Sequence, residues 1–417
     1  MNKDFFYEKN SCRVCSSKSL SKVLTLKSTP IGDAYKKKIS KNIDFFELSL
    51  NQCNDCSFVQ LSNVIDSELV YGDYLYVTTT SVDLVQHFKN LTDLLFKKNI
   101  ISNNSKILEI GSGDGTLLKY FQAKGCKVLG IDPAKNLVSS LNNNFDTITK
   151  MFSYDLSKHI LSQYGKFDLV VANNVIANLD DLNNTFKAIS LLLKGNGFFV
   201  METFSLHGVI SKNLIDNIYH EHLSYFTIQS LMSLAKKFNL KLYHAEHFNI
   251  KGGSIRLFFK KTSRNILINS TTAKSINKEN KANLNSKYLF KKIEEKNFYN
   301  KAELIKFINR EKRKKMSFAG YGASVATTTL MYYYGLYNYV EYLFDDEIRR
   351  HNLYSPGAGI KVLHPNQLAK IMPDYVIIFA WRYSKIIIKK NSTYINKGGK
   401  FIIPLPNFRM LEKLRIS

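Results

Sequence analysis

The stretch Asp216-Asn-Ile-Tyr219-His220-Glu221-His222-Leu-Ser-Tyr225-Phe226 concentrates groups that can move protons. Tyrosine, histidine and glutamate this close together can supply a general base, an orienting carboxylate and a hydroxyl that polarises a carbonyl. Two other readings compete. His220 and His222 could share a metal, although the H-E-x-x-H spacing of helical zinc proteases is absent; or the segment could simply pack at a helix start. A second chemical feature is the pair of knuckles Cys12-Arg-Val-Cys15 and Cys53-Asn-Asp-Cys56. A two-residue gap lets both thiolates of a pair turn toward one tetrahedral ion. Two such pairs complete a closed zinc site with no open position, so the metal is expected to be structural. The fifth cysteine, Cys126, precedes an apolar run and reads as a small buried hydrophobe.

The elements that must position such groups are visible in the pattern. Lys106-Ile-Leu-Glu109-Ile runs at strand length into Gly111-Ser-Gly113-Asp-Gly115, and the helical pattern Thr116 to Ala123 follows. Glycines permit positive φ and let a ligand approach the backbone closely. Lys127-Val-Leu-Gly-Ile-Asp132 reads as the next strand, ending in a carboxylate about 20 residues after the glycines, where an acid can accept ribose hydroxyls. Strand candidates at Phe167 to Ala172 and Gly197 to Glu202 alternate with helical segments, as an α/β sheet requires. The loop lacks the GxGxxG spacing of a dehydrogenase.

This arrangement resembles the class I S-adenosylmethionine (SAM)-dependent methyltransferases. The resemblance implies that the glycine loop holds the methionine portion and the acid the ribose, with Glu109, Gly111, Gly113, Gly115, Asp132 and Asn173 as cofactor contacts. Over nearly its full length the chain further resembles the sugar C-methyltransferases that act on nucleotide-activated 4-keto-6-deoxy hexoses. The shared features are the four-cysteine site, Tyr74-Leu-Tyr76-Val-Thr-Thr-Thr-Ser81, the SAM loop, Ile218-Tyr-His-Glu-His222-Leu-Ser-Tyr-Phe226, Gly252-Gly-Ser254-Ile-Arg256, Phe318-Ala-Gly320-Tyr-Gly322-Ala, and the ending Asp374 to Trp381 with Gly398 to Pro406. The resemblance implies methyl transfer to carbon 3, beside the ketone at carbon 4, through an enolate. Such chemistry needs a base and an oxyanion-stabilising donor together. His222 is expected as base or beside it, Tyr219 and Tyr76 near the ketone, and Glu221 in support; which of them takes the proton stays open. Tyr74, Asn178, Ser254, Arg256, Gly320, Tyr321, Gly322 and Asp345 are the expected substrate contacts.

Two departures stand out. The resembling enzymes commonly carry histidine where this chain has Asn178, and asparagine can hydrogen-bond a substrate oxygen but not exchange protons near neutral pH. The stretch Tyr354-Ser-Pro356-Gly-Ala-Gly359-Ile-Lys361 also departs from the PGTxIPI of the family.

The fold class expected is α/β: a class I methyltransferase domain, an N-terminal zinc module, and a second, smaller Rossmann-like unit. That last unit is read from Met316-Ser-Phe-Ala-Gly320-Tyr-Gly322, a strand into a glycine turn, and from Tyr339 to Asp345-Asp346, a strand ending in acids. The expected boundaries are 1–70, 71–262, a lysine-rich linker with a charged helix over 263–312, and 313–417. At 417 residues several domains are required.

The formal net charge of +25 invites phosphate-bearing partners, yet the lysines are spread as a solvated surface would spread them. No stretch reaches the roughly 18 to 20 apolar residues that span a bilayer, and Met1 to Asn10 lacks a signal peptide's apolar core. The expected protein is cytoplasmic, binds SAM and structural zinc, takes a nucleotide-sugar substrate, and touches no membrane. RNA methylation is disfavoured because the basic residues are not interleaved with stacking aromatics. Another small acceptor, or a non-catalytic SAM- or sugar-binding scaffold, are further alternatives. Oligomeric state is left open.

Overall fold

The computed structural model describes residues 6–39, 42–71, 82–135 and 145–412. Its centre is a seven-stranded sheet. The central strands Phe167–Asn173 and Lys106–Ile110 are runs of aliphatic residues with almost no exposed surface, as expected of parallel strands covered on both faces. In spatial order the sheet runs Leu240–Phe248, Ser254–Lys261, Leu193–Phe204, Phe167–Asn173, Lys106–Ile110, Lys127–Ile131 and Thr147–Ile148. Only Ser254–Lys261 runs antiparallel to its neighbours. This is the α/β class anticipated from the alternating pattern. Phe186, Phe199 and Phe259 fill one face, all fully buried, each burial stabilising by roughly 1.5–3 kcal/mol.

A second sheet of six strands is built from the C-terminal part: Lys361–Leu363, Tyr342–Phe344, Phe318–Tyr321, Tyr375–Ile378, Lys400–Ile403 and Arg409–Leu411. The first five are mutually parallel and the last is antiparallel, so the second Rossmann-like unit is present. Between the two sheets, the lysine-rich segment folds into helices Ser270–Lys281 and Tyr288–Arg313. The second is amphipathic: its lysines face water while Phe290, Ile293, Leu304 and Ile308 are buried. Asn297 on this helix exchanges side-chain hydrogen bonds with Asn213 of the first lobe and accepts from the Tyr334 hydroxyl (2.8 Å) of the second.

The N-terminal part forms a four-stranded sheet in which Leu20–Thr29, Phe46–Cys53 and Val59–Leu61 are antiparallel neighbours. Its edge strand comes from far along the chain. Ser224–Tyr225 pairs with Gln60 and Val59, and the Leu61 amide donates to the Leu223 carbonyl at 3.0 Å. The histidine-rich segment is therefore sewn into the N-terminal module.

The four cysteines converge as their spacing demands. The sulfur atoms of Cys12 and Cys56, and of Cys15 and Cys53, are each 3.5 Å apart, and all four ligand atoms lie within 4.8 Å of one another. Zinc–sulfur bonds of about 2.3 Å set tetrahedral sulfur separations near 3.8 Å, so these residues fit the ion. Because strand Phe46–Cys53 ends at one ligand, loss of the ion would loosen the sheet that holds Ser224–Tyr225. Cys53→Ser is expected to abolish stoichiometric zinc by elemental analysis and to lower the thermal midpoint. Strong chelation of the wild type should produce the same shift.

Candidate active site

Strand Lys106–Ile110 delivers the chain into a loop in which Gly111, Gly113 and Gly115 have φ of 72°, 51° and 69°. A Cβ at Gly111 would come within 2.9 Å of Val175, whereas one at Gly113 would meet nothing within 4 Å, so the loop is closed beneath and open above. Asp132 pins this loop: its carboxylate accepts the Gly113 amide at 2.8 Å and the Ala134 amide at 2.9 Å. Burial pushes its carboxyl above the usual range despite those two bonds. Glu109 lies fully buried behind the loop. Burial and the neighbouring Asp114 and Asp132 hold its carboxyl well above the ordinary value.

Above the loop is a cavity of about 520 Å³. Several of its buried polar atoms have no protein partner among the described residues: Glu109 Oε2, Ser112 Oγ, both amide atoms of Asn173, Asn178 Oδ1 and Asn217 Nδ2. Buried polar groups are ordinarily satisfied. A polar ligand with both donors and acceptors fits this set, and SAM is such a ligand.

The far wall of the cavity carries Tyr219, Glu221 and His222. His222 Nδ1 is 2.8 Å from the Asn217 carbonyl, which can only accept, so that nitrogen carries the proton. Nε2 then presents its lone pair to the Tyr219 hydroxyl at 2.7 Å. The imidazole is sandwiched between the rings of Tyr219 and Phe204, with centroids at 3.8 and 4.1 Å. Burial, reinforced by the nearby Glu221, pushes the Tyr219 phenol well above its ordinary value. Tyr219 is therefore a held donor, and His222 an oriented acceptor.

The segment bearing this pair is clamped from the C-terminal lobe. Asp216, with no exposed surface, takes Arg382 at 2.7 and 3.0 Å and the Trp381 indole N–H at 2.9 Å. Thr329 Oγ1 donates to the Ile218 carbonyl at 3.1 Å. A further buried pair, Arg350 to Asp33 at 2.8 Å, joins the C-terminal lobe to the N-terminal module at the cavity edge.

Asn178 lines the cavity and hydrogen-bonds the Tyr71 hydroxyl, a neighbour that sequence reasoning missed. Asp345 also lines it, beside Ser324. Other expected substrate contacts lie elsewhere. A Cβ at Gly320 would come within 2.6 Å of Leu343 and Phe379, and one at Gly322 within 2.8 Å of Ala380, so both glycines serve close packing. The Tyr321 hydroxyl turns to Asp346 at 3.0 Å. Ser254 bonds the Ile250 carbonyl at 3.2 Å.

Arg256 corrects the expectation most clearly. It is buried against the sheet, with Nε 2.8 Å from Glu202, whose carboxylate also meets His87 at 2.7 Å. Against the upward push of burial, His87 and Arg256 hold the Glu202 carboxyl below the usual range. The strand register opposes Arg256 to Glu202 directly, which explains why it turns inward. Tyr74 and Tyr76 lie outside the described residues.

Comparison with known proteins agrees with this layout. Residues 12–71 match the family model of a zinc binding domain, 85–245 that of a methyltransferase domain, and 249–406 that of a C-methyltransferase C-terminal domain. The chain is similar to the C-methyltransferase NovU of Streptomyces niveus, 26% identical over 410 residues and covering 97% of both chains. It is also similar, over 26% of its length and 46% of the relative's, to a ubiquinone biosynthesis O-methyltransferase of Bradyrhizobium diazoefficiens (26% identical). Among solved structures, the PH0226 protein of Pyrococcus horikoshii OT3 aligns with 47% of this chain and 100% of its own, at 17% identity and a TM-score of 0.37.

Two expectations follow from the ion pairs. Arg256→Met leaves Glu202 buried beside a lone imidazole and should cost roughly 3–5 kcal/mol in urea unfolding, with the acceptor KM of the folded fraction unchanged. Arg382→Ala strands the buried Asp216 carboxylate. Because the guanidinium is partly exposed, a loss nearer 3 kcal/mol is expected, together with a fall in kcat as Tyr219 and His222 lose their anchor.

Proposed function

We propose that this chain, which belongs to the SAM-dependent C-methyltransferases and carries their zinc-binding, methyltransferase and C-terminal domains in order, methylates carbon 3 of a nucleotide-linked 4-keto-6-deoxy sugar. The observation that carries the reading is the Tyr219–His222 pair facing the same cavity as the glycine loop. O-methylation needs only a base at an already polar oxygen. Carbon methylation beside a ketone needs a base and a donor at adjacent atoms, and this pair supplies both.

His222 is the base in this reading. Its Nδ1–H is held by the Asn217 carbonyl, so Nε2 is the nitrogen that takes the carbon 3 proton once the Tyr219 hydroxyl turns from it to the substrate. The C–H electron pair moves into the ring and the ketone oxygen becomes an enolate oxygen, which the Tyr219 hydroxyl stabilises. Tyr219 does not give up its own proton readily, since Glu221 and burial oppose a phenolate there. Bound SAM supplies an electrophilic methyl on a sulfonium, which the enolate carbon takes. Glu109, Gly111, Gly113, Asp132 and Asn173 would hold SAM. Asn178 takes no proton in this scheme and offers hydrogen bonds alone. The sugar's anionic nucleotide suits a chain of net charge +25.

The test is mass spectrometry of nucleotide 4-keto-6-deoxy sugars incubated with the protein and SAM, with exchange of the carbon 3 proton followed in heavy water. One carbon-bound methyl is expected. His222→Ala should abolish both exchange and methylation, and Tyr219→Phe should lower kcat by about 10²–10⁴. Absence of methylation and exchange across the panel, with SAM still bound, would overturn the sugar reading.

A further inference from the structure

A second concavity of about 460 Å³ lies against the reaction cavity and shares Tyr71, Met151, Phe152, Asn178, Leu179 and Glu221 with it. Its chemistry differs from that of the rest of the chain. In a protein of net charge +25, no lysine or arginine is among the described residues lining this groove, while Asp66, Asp155, Asp180, Asp181 and Glu221 are. Two of these are neutralised from outside: Asp180 by Lys9 at 2.8 Å and Arg13 at 2.9 Å, and Asp155 by Lys158 at 2.9 Å. Asp66 and Asp181 are exposed at the rim and make no ion pair among the described residues. Each caps a helix: Asp66 accepts the Glu68 amide at 2.8 Å, and Asp181 accepts the Asn184 amide at 3.0 Å with one oxygen and the Asn184 side-chain amide at 2.7 Å with the other, both keeping their charge.

The floor of the groove holds an independent sign of a ligand. His220 is 4% exposed, and its Nε2 is buried and has no partner among the described residues. Burial pushes its imidazole down to about 4, so at neutral pH it is an uncharged ring with an unanswered lone pair. Acids at the rim and a bare acceptor at the floor together favour a cation that carries N–H groups and disfavour an anion.

The two co-substrates differ in just this respect. SAM is a net cation bearing a sulfonium, an ammonium and an adenine amino group, whereas a phosphorylated acceptor is an anion. The field of a strongly basic chain attracts the acceptor and repels SAM. We propose that the acidic groove is the entrance by which SAM reaches the glycine loop, with Asp66 and Asp181 drawing the cation in and His220 accepting an N–H on the way. Methyl transfer turns the sulfonium into a neutral thioether, so the product S-adenosylhomocysteine no longer feels that attraction and leaves more freely. The proposal rests on SAM as the methyl donor and not on the identity of the acceptor, so a failure of the sugar reading leaves it standing.

The experiment measures association rates of labelled SAM and of S-adenosylhomocysteine with the full-length protein by rapid mixing and filtration, at low and high salt. In the wild type, salt should slow SAM association and leave that of S-adenosylhomocysteine flat. A repelling basic surface alone would make salt speed SAM up. Asp66→Asn with Asp181→Asn keeps both helix caps, since asparagine caps as well as aspartate. This double variant should lower the SAM rate about tenfold, at the low end of steering effects, without moving the rate for S-adenosylhomocysteine. The same change of charge outside the groove, Glu295→Gln with Glu341→Gln, should leave both rates as in the wild type. The proposal is overturned if the groove variant binds SAM at the wild-type rate, if both ligands slow together, or if salt accelerates SAM in the wild type.

Discussion

The structure depends on one buried carboxylate. Asp216 has no exposed surface and is held by the guanidinium of Arg382 and the indole of Trp381, both from the opposite lobe. A charge in that position is tolerable only while its partners stay in place. The C-terminal lobe therefore cannot swing away without exposing a costly, half-satisfied ion. Eight residues later the same segment becomes the edge strand of the N-terminal sheet, through Ser224–Tyr225. Tyr219 and His222 lie between these two attachments. Their mutual geometry is set by three modules at once, because the segment that carries them is attached on both sides.

The zinc knuckles take on a mechanical meaning in this light. Four thiolates fix the turn that follows strand Phe46–Cys53, and that strand pairs with Val59–Leu61, which in turn pairs with Ser224–Tyr225. A structural ion at one end of a small sheet thus stiffens the segment bearing Tyr219 and His222 at the other. Phe46 also packs edge-on to His220, at 5.8 Å between centroids. The C-terminal unit acts likewise. Its glycines at 320 and 322 permit tight strand packing, while Ser324, Asp345, Asp346, Glu347, Arg350 and Arg382 are among the residues it presents to the cavity.

Carboxylates line both sides of that cavity. Glu109, Asp114 and Asp132 gather behind the glycine loop, and burial raises the first and last of them. The opposite wall brings the guanidinium groups of Arg350 and Arg382, each already balanced by a buried aspartate, together with Asp345, Asp346 and Glu347.

Much of the fold was legible because it is local. A strand, a glycine turn and a helix follow one another within about two dozen residues, as do the paired cysteines within each knuckle, and short-range spacing constrains them directly. The contact between Tyr219 and His222 was legible for the same reason: the two groups are three positions apart, and a turn suffices to bring them together. Its surroundings were not. Asp216 and Arg382 are separated by 166 positions, Arg13 and Asp180 by 167, and nothing in spacing announces either pair. Arg256 shows the limit well. By family resemblance it is expected as a substrate contact, yet the antiparallel register of its strand sets it opposite Glu202, and a buried carboxylate takes the nearest guanidinium. The sequence by itself determined which groups could do chemistry and which local units carry them. Tertiary structure alone decided which of those groups face the cavity, because burial and long-range charge pairing depend on how sheets from three modules close around one segment.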